Sequence, residues 1–142
     1  MSLSIDRIDH IVLTVKDIEQ AIWFYCDVLG MEEIEFGDNR KALKFGTQKI
    51  NLHSITDNYS PVAQAPTPGS QDLCFVCDSP LDEVAAILEK HGISIEEGPV
   101  VRSGAQGDIT SVYCRDPDGN FRSAYTRSAR RSSPPGKIPG LL

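Results

Sequence analysis

Histidine and cysteine are the residue types in this chain best suited to metal binding or nucleophilic chemistry. His10 and His53 each lie in a segment of strand-forming composition. Imidazole is a ligand for Zn, Ni, Fe and Mn, so either residue could bind an ion. The alternative is that both are strand histidines with ordinary hydrogen bonds. His91 directly precedes Gly92 at the expected end of a helix, where a structural role is favoured.

Cys74 and Cys77 have the CxxC spacing of metal knuckles and redox pairs. The segment Asp72–Cys77, however, has the composition of a strand. Residues three apart on a strand point to opposite faces of the sheet, so the two sulfur atoms would diverge. We therefore predict buried core thiols here rather than a metal or redox site.

The elements that must position these side chains begin with a strand from Ile8 to Val15. Asp17 then stands at an N-cap position, and Gly30 stands where a glycine ends a helix. Two or three further strands are expected in this half of the chain, at Glu33–Phe36, Arg40–Phe45 and Lys49–Ile55.

The second half repeats this order of elements. The strand Asp72–Cys77 precedes a helix that Ser79 is expected to cap, with Pro80 at its first position and Gly92 at its end. The strands expected after it are Ile93–Glu96 and Ile109–Cys114, followed by a turn at Asp116–Asn120.

Equal spacing in the two halves indicates an internal duplication. His10 lies 20 residues before Gly30, and Asp72 lies 20 residues before Gly92. We predict an α+β fold of two tandem βαβββ modules whose curved sheets surround a cavity. The predicted boundaries are 1–58 for the first module, 59–71 for a Pro-rich linker, 72–126 for the second module and 127–142 for a basic, Pro-containing tail.

Charge is distributed unevenly along the chain. Residues 1–120 have 9 Lys+Arg and 20 Asp+Glu, a net of −11, whereas residues 121–142 have five basic residues and no acid. An acidic body argues against a nucleic-acid partner, which needs a basic face. No apolar run is long enough to span a membrane, and the N-terminus lacks the pattern of a secretion signal. A cytoplasmic protein without a nucleic-acid or membrane partner is therefore expected.

Several motifs resemble the vicinal oxygen chelate superfamily, which includes glyoxalase I, bleomycin-resistance proteins and extradiol dioxygenases. They are the opening segment 9–15, the helix segment 24–30 and the turn 116–120. Segments 41–53, 66–70 and 97–100 resemble the small proteins labelled biphenyl-2,3-diol 1,2-dioxygenase III-related or virulence proteins.

The resemblance implies a divalent metal (Zn, Ni, Mn or Fe) bound by the first and last strands of each module. The matching residues are His10, His53 and Asp72, while Ser123 occupies the position where the family has a glutamate. In glyoxalases that glutamate is expected to be both ligand and base. Arg102 and Tyr113 are candidates to bind substrate. The resemblance also makes a homodimer plausible.

Two functions follow from the resemblance. The first is a metal-dependent enzyme of lyase or isomerase type, glyoxalase I-like rather than dioxygenase-like, acting on a substrate with adjacent oxygens. The second is a metal-free protein that binds or sequesters a small ligand in the same fold. We predict the first and keep the second as the alternative, which the serine at position 123 strengthens because no carboxylate follows Asp118.

Overall fold

The computed structural model describes residues 1–126, which form two compact units that meet in sequence at Ser70 and Gln71. The predicted tail, 127–142, lies outside the described residues. The first unit contains β1 (His10–Val15), α1 (Ile18–Ile22) with a π-helical continuation (Trp23–Val28), β2 (Glu32–Phe36), β3 (Arg40–Phe45) and β4 (Gln48–Ser54). The second contains β5 (Asp72–Cys77), α2 (Leu81–Lys90), β6 (Glu97–Gly104), β7 (Gly107–Arg115) and β8 (Phe121–Thr126).

Each unit forms one four-stranded mixed sheet, and the two sheets share one topology. The strand orders are β1-β4-β3-β2 and β5-β8-β7-β6. In both, the first strand pairs in parallel with the last, and the remaining neighbours are antiparallel. The predicted pair of βαβββ modules is confirmed. No helix among residues 1–126 is long and apolar enough to cross a membrane.

The first helix begins and ends where the sequence predicts. Asp17 is extended, and its carboxylate accepts a hydrogen bond from the Gln20 amide at 3.1 Å, which satisfies one free donor of the first turn. At the other end Gly30 adopts φ +80°, a conformation that glycine reaches without strain. Phe24 and Tyr25 between these ends are fully buried.

The first sheet has one apolar and one polar face, because side chains alternate along each strand. The apolar face contains Leu13, Val15, Leu43, Ile50 and Leu52, all buried in the core with α1. The residues between them in sequence, among them Thr14, Asn51 and His53, point to the opposite face. Folding therefore brings Thr14, Asn51 and His53 to one surface.

Two predictions, one about the start of the second helix and one about the strand after it, are wrong. Residues 93–96 form no strand; the strand begins at Glu97. Ile93 donates its amide to the Leu88 carbonyl at 2.8 Å and Gly92 to the Glu89 carbonyl at 3.0 Å, so the isoleucine belongs to a Schellman motif that closes the helix. Pro80, not Ser79, is the N-cap residue, and no side-chain cap is present there.

The turn between β7 and β8 is held by a buried polar network centred on Asp116. Its Oδ1 accepts hydrogen bonds from the amides of Asp118 at 3.0 Å and Asn120 at 2.9 Å. Its Oδ2 accepts one from Asn120 Nδ2 at 2.8 Å and lies 3.8 Å from Arg122 Nη2. Asn120 Oδ1 in turn accepts the Gln71 amide at 2.8 Å, which ties the turn to the chain entering β5.

Candidate functional site

The structure places His10 and His53 on the same face of the first sheet but at different positions along it. In the parallel β1–β4 pair, His10 lies beside Lys49, whereas His53 lies beside Thr14. The histidines are therefore four register positions apart, or roughly 13 Å at about 3.3 Å per residue. The environments of the two histidines also differ. His10 is half-exposed, with its Nδ1 3.0 Å from Asp9 Oδ2, whereas His53 is buried.

The other predicted ligand positions belong to the second unit. Asp72 begins β5 and is exposed, and it pairs with Phe121. Ser123 is buried on β8 between Cys74 and Tyr113, two register positions further along than Asp72. At this position the side chain has a neutral hydroxyl group in place of a carboxylate.

Arg102 and Tyr113, the predicted substrate-binding pair, do lie together in the second unit. The guanidinium carbon of Arg102 is 5.7 Å from the centre of the Tyr113 ring. Tyr113 stacks on Phe121 with ring centres 4.9 Å apart. Arg102 Nη2 is already bonded to Glu97 Oε2 at 2.7 Å, so its charge is compensated within the unit. Their role in binding substrate stays a prediction.

A more complete polar cluster lies on the first sheet, and we call it the polar face: Arg40, Asn51 and His53, with Thr14 beside His53. Asn51 pairs with Ala42 on β3 and Val12 on β1, and His53 pairs with Thr14, so β4 contributes two of these residues on one side. Arg40 is two residues before Ala42 on β3 and so points to the same side.

Three side-chain atoms of the polar face are buried without a hydrogen-bond partner among residues 1–126. They are Arg40 Nε, Asn51 Oδ1 and His53 Nε2. Asn51 is 6% exposed and His53 is 5% exposed, so bulk water reaches neither side chain freely. Most buried polar groups in proteins have a partner, and each exception calls for an explanation such as a bound molecule.

Aromatic rings enclose the polar face. The His53 and Tyr59 rings form a T-shaped contact, with their centroids 4.5 Å apart and their planes inclined at 62°. The Arg40 guanidinium carbon lies 4.6 Å from the centre of the Tyr59 ring and 4.7 Å from that of Phe36. Lys49 Nζ lies 4.1 Å from the centre of the Phe36 ring. Tyr59 therefore contacts both Arg40 and His53, and Phe36 contacts both Arg40 and Lys49.

Comparison with known proteins identifies the family. Residues 7–121 match the model described as Glyoxalase/Bleomycin resistance protein/Dioxygenase superfamily. The chain belongs to this superfamily. The predicted resemblance is thereby confirmed, as is the glyoxalase-like fold.

This superfamily member is similar to a virulence protein, an integron cassette protein and a lyase. It is 55% identical over 121 residues to virulence protein STM3117 of Salmonella typhimurium, covering 85% of this chain and 84% of that protein. The structure of an integron cassette protein from the mobile metagenome of V. cholerae has a TM-score of 0.88 and 49% identity, covering 89% and 99% of the two chains. Lactoylglutathione lyase from Agrobacterium tumefaciens has a TM-score of 0.68 and 25% identity, covering 89% and 97%.

The divalent metal that the glyoxalase superfamily resemblance implies does not fit the residues of the first unit. His10 and His53 stand four register positions apart with Val12 and Asn51 between them. At roughly 13 Å between Cα atoms, two imidazoles that stand up from the sheet cannot both reach an ion at ~2.1 Å. Among residues 1–126 no three His, Cys, Asp or Glu side chains form a metal-binding group.

Sequence patterns did not single out Arg40, Asn51 and Tyr59 as candidate site residues. Arg40 and Tyr59 were assigned only to a strand and a linker, and Asn51 only to a strand. The available signal was the alternation Lys49-Asn51-His53 within β4, which indicates a polar face on a strand whose other face is buried. Tyr59 gave no signal, because its position against His53 depends on how the chain turns after β4.

The four cysteines are free thiols, but they are not all buried. Cys74 is exposed because alternate residues of the edge strand β5 face outward, which corrects the prediction for that residue. Cys77 lies on the other face of β5 and is half-buried, and Cys114 on β7 is buried. Burial raises the pKa of the Cys114 thiol to about 11.

These differences predict selective thiol labelling. At pH 8 a pKa of about 11 leaves roughly 0.1% of the Cys114 side chain as thiolate, and the thiolate is the reactive form. We expect iodoacetamide to modify Cys74 at least tenfold faster than Cys114 in the native protein, with the difference lost in urea. Mass spectrometry of the labelled peptides measures both rates, and equal native rates would contradict the buried position of Cys114.

Proposed function

We propose that this chain is a small-molecule-binding protein of the superfamily, with its ligand on the polar face of the first unit. The observation that supports this proposal is the set of three buried side-chain atoms without partners: Arg40 Nε, Asn51 Oδ1 and His53 Nε2. We further propose that protein side chains hold the ligand directly, because the predicted metal ligands do not converge on this sheet.

The energetic reasoning rests on the cost of unpaired polar groups. A buried donor or acceptor without a partner destabilises the folded state by about 1–3 kcal/mol. Three such groups on one face are costly unless a bound molecule satisfies them when the protein acts. Arg40 Nε can only donate, and Asn51 Oδ1 can only accept. The complementary ligand therefore offers both an acceptor and a donor.

His53 is the residue whose replacement tests this proposal. Saturation-transfer NMR on EDTA-treated protein would use four probes: benzoate, benzamide, catechol and benzyl alcohol. We expect at least one probe to give a saturable signal with the wild type and to lose at least tenfold in affinity in His53→Leu. His91→Gln is the matched control, because His91 lies at the end of α2 in the other unit, with Nδ1 2.9 Å from the Ile87 carbonyl oxygen.

The proposal fails in either of two ways. The first is that none of the four probes gives a signal with the EDTA-treated wild type. The second is that His53→Leu and His91→Gln bind the probes equally well. Circular dichroism of both variants shows whether each retains the native fold, so that a loss of binding can be assigned to the polar face.

A second candidate function is catalysis of proton transfer at the same face. Two observations favour it: the 25% identity to lactoylglutathione lyase over most of both chains and the unpaired Nε2 of His53, which is free to exchange a proton with a bound molecule. Turnover of the methylglyoxal–glutathione hemithioacetal by the wild type, with at least a hundredfold loss in His53→Gln, would support it. No turnover above the buffer rate would rule this substrate out.

A further inference from the structure

We propose that the ligand of the polar face contains a carboxylate group, which the Arg40 guanidinium binds in its own plane. The proposal rests on the proposed function, because it specifies what the small molecule must contain.

The aromatic contacts of Arg40 leave its in-plane donors available. Its guanidinium carbon lies 4.7 Å from the Phe36 ring centre and 4.6 Å from the Tyr59 ring centre. A guanidinium held on aromatic faces keeps its N–H groups directed outward in its plane, where a carboxylate accepts two of them. Arg40 Nε, one of these donors, is buried without a partner among residues 1–126.

No carboxylate of the described chain competes for this donor. Neither Arg40 nor Lys49 takes part in an ion pair among residues 1–126. Two acids of the neighbouring strand β2, Glu33 and Glu35, instead pair with Lys41 at 2.9 and 3.9 Å. Lys41 alternates with Arg40 along β3, so these acids lie on the opposite side of the sheet.

Other arginines of the chain show what a compensated guanidinium looks like. Arg102 bonds Glu97 at 2.7 Å, Arg115 bonds Glu96 at 2.9 Å, and Arg122 lies 3.8 Å from Asp116. Arg102 and Arg115 also lie over aromatic rings, at 5.7 and 4.3 Å from the ring centres. At Arg102 and Arg115, therefore, an aromatic contact is present together with an acid partner and does not take its place. At Arg40 the acid is missing, and we infer that the ligand supplies it.

Lys49 increases the positive potential of the same face. Its ammonium lies 4.1 Å from the centre of the Phe36 ring, whose face also contacts Arg40. Lys49 and Arg40 thus lie around one aromatic ring without an acid between them. Asp9 offsets part of the charge of Lys49, and no carboxylate among residues 1–126 forms an ion pair with Arg40. Two cations on one face favour an anionic ligand over a neutral one.

The test compares two probes of the same shape that differ in charge. NMR titration of the EDTA-treated wild type with benzoate and with benzamide gives an affinity for each. We expect benzoate to bind at least tenfold more tightly. Arg40→Lys retains the charge but loses the planar fork, and we expect it to lose at least tenfold in benzoate affinity. Arg115→Lys is the matched control, because Arg115 bonds Glu96 at 2.9 Å in the second unit, and it is expected to stay within twofold of the wild type.

Each outcome separates this inference from the proposed function. If benzamide binds as tightly as benzoate and both require His53, the polar face binds small molecules but the carboxylate inference is wrong. If Arg115→Lys loses as much affinity as Arg40→Lys, the inference is also wrong. If neither benzoate nor benzamide binds to the wild type, the carboxylate inference is wrong. Binding of catechol or benzyl alcohol that requires His53 would then still support the proposed function, and no binding of either would contradict it.

Discussion

Replacement of Asn51 by leucine is expected to raise the free energy of unfolding by about 1–2 kcal/mol while abolishing ligand binding. Asn51 is 6% exposed, and its Oδ1 has no hydrogen-bond partner among residues 1–126. Leucine is close to asparagine in shape, so the replacement removes an unsatisfied polar group without opening a cavity. A residue that lowers stability in this way is typical of a binding site.

Asn120 provides a matched control of opposite sign. It is as deeply buried as Asn51, but its side chain donates to Asp116 Oδ2 at 2.8 Å and accepts the Gln71 amide at 2.8 Å. Asn120→Leu leaves both partners unsatisfied, and we expect it to lower the free energy of unfolding by about 2–4 kcal/mol. Urea unfolding measures both variants. Destabilisation of similar size in Asn51→Leu would contradict the view that Asn51 is unpaired.

Replacement of Asp116 by alanine is expected to lower the free energy of unfolding by about 3–5 kcal/mol. The carboxylate accepts three hydrogen bonds from the β7–β8 turn and lies 3.8 Å from the Arg122 guanidinium. Both side chains are almost fully buried, with 1% and 2% exposed. Removal of the acid leaves a buried positive charge without its counterion, and this is the largest part of the expected loss.

A second variant separates the charge effect from the loss of the turn. In Asp116→Ala/Arg122→Met, the uncompensated charge is gone, so we expect the double variant to be more stable than Asp116→Ala alone by at least about 1 kcal/mol. Urea unfolding of the wild type, the two single variants and the double variant gives the coupling. Additive losses would show that Arg122 and Asp116 act independently.

Periodicity and turn residues predicted most of the fold. Asp17 begins the first helix as its N-cap, and the glycines at 30 and 92 end their helices, as predicted. These positions were predictable because they depend on local backbone chemistry. The equal spacing of the two halves predicted that both have the same order of strands and helix along the chain. Ile93 was misassigned because an apolar residue just after a helix can close a Schellman motif as well as begin a strand.

The candidate site was less predictable, because it depends on strand register. The sequence shows that His10 and His53 lie on strands, but only the pairing of His10 with Lys49 and of His53 with Thr14 reveals their separation. In the same way, Arg40 and Tyr59 are 19 residues apart in sequence and meet only once β3 and β4 are formed. Side-chain chemistry alone could not single out these two residues.

The buried arginine of β8 illustrates the same limit. Arg122 occupies a core-facing position where the alternation of a strand leads one to expect an apolar residue, and it is 1% exposed. Its partners, Asp116 and Gln71, approach only through the turn and the start of β5. The residue is thus tolerated because the tertiary fold supplies its counterion, and the sequence pattern alone gives no indication of that.

The most direct test of the central claim compares ligand affinity with and without metal. The probe that binds best in the saturation-transfer measurement would be titrated calorimetrically into EDTA-treated protein and into protein incubated with Mn, Ni, Zn or Fe. We predict affinities within twofold of one another, unchanged in His10→Ala and reduced at least tenfold in His53→Leu. Binding that appears only with metal and disappears in His10→Ala would contradict a ligand held directly by the polar face.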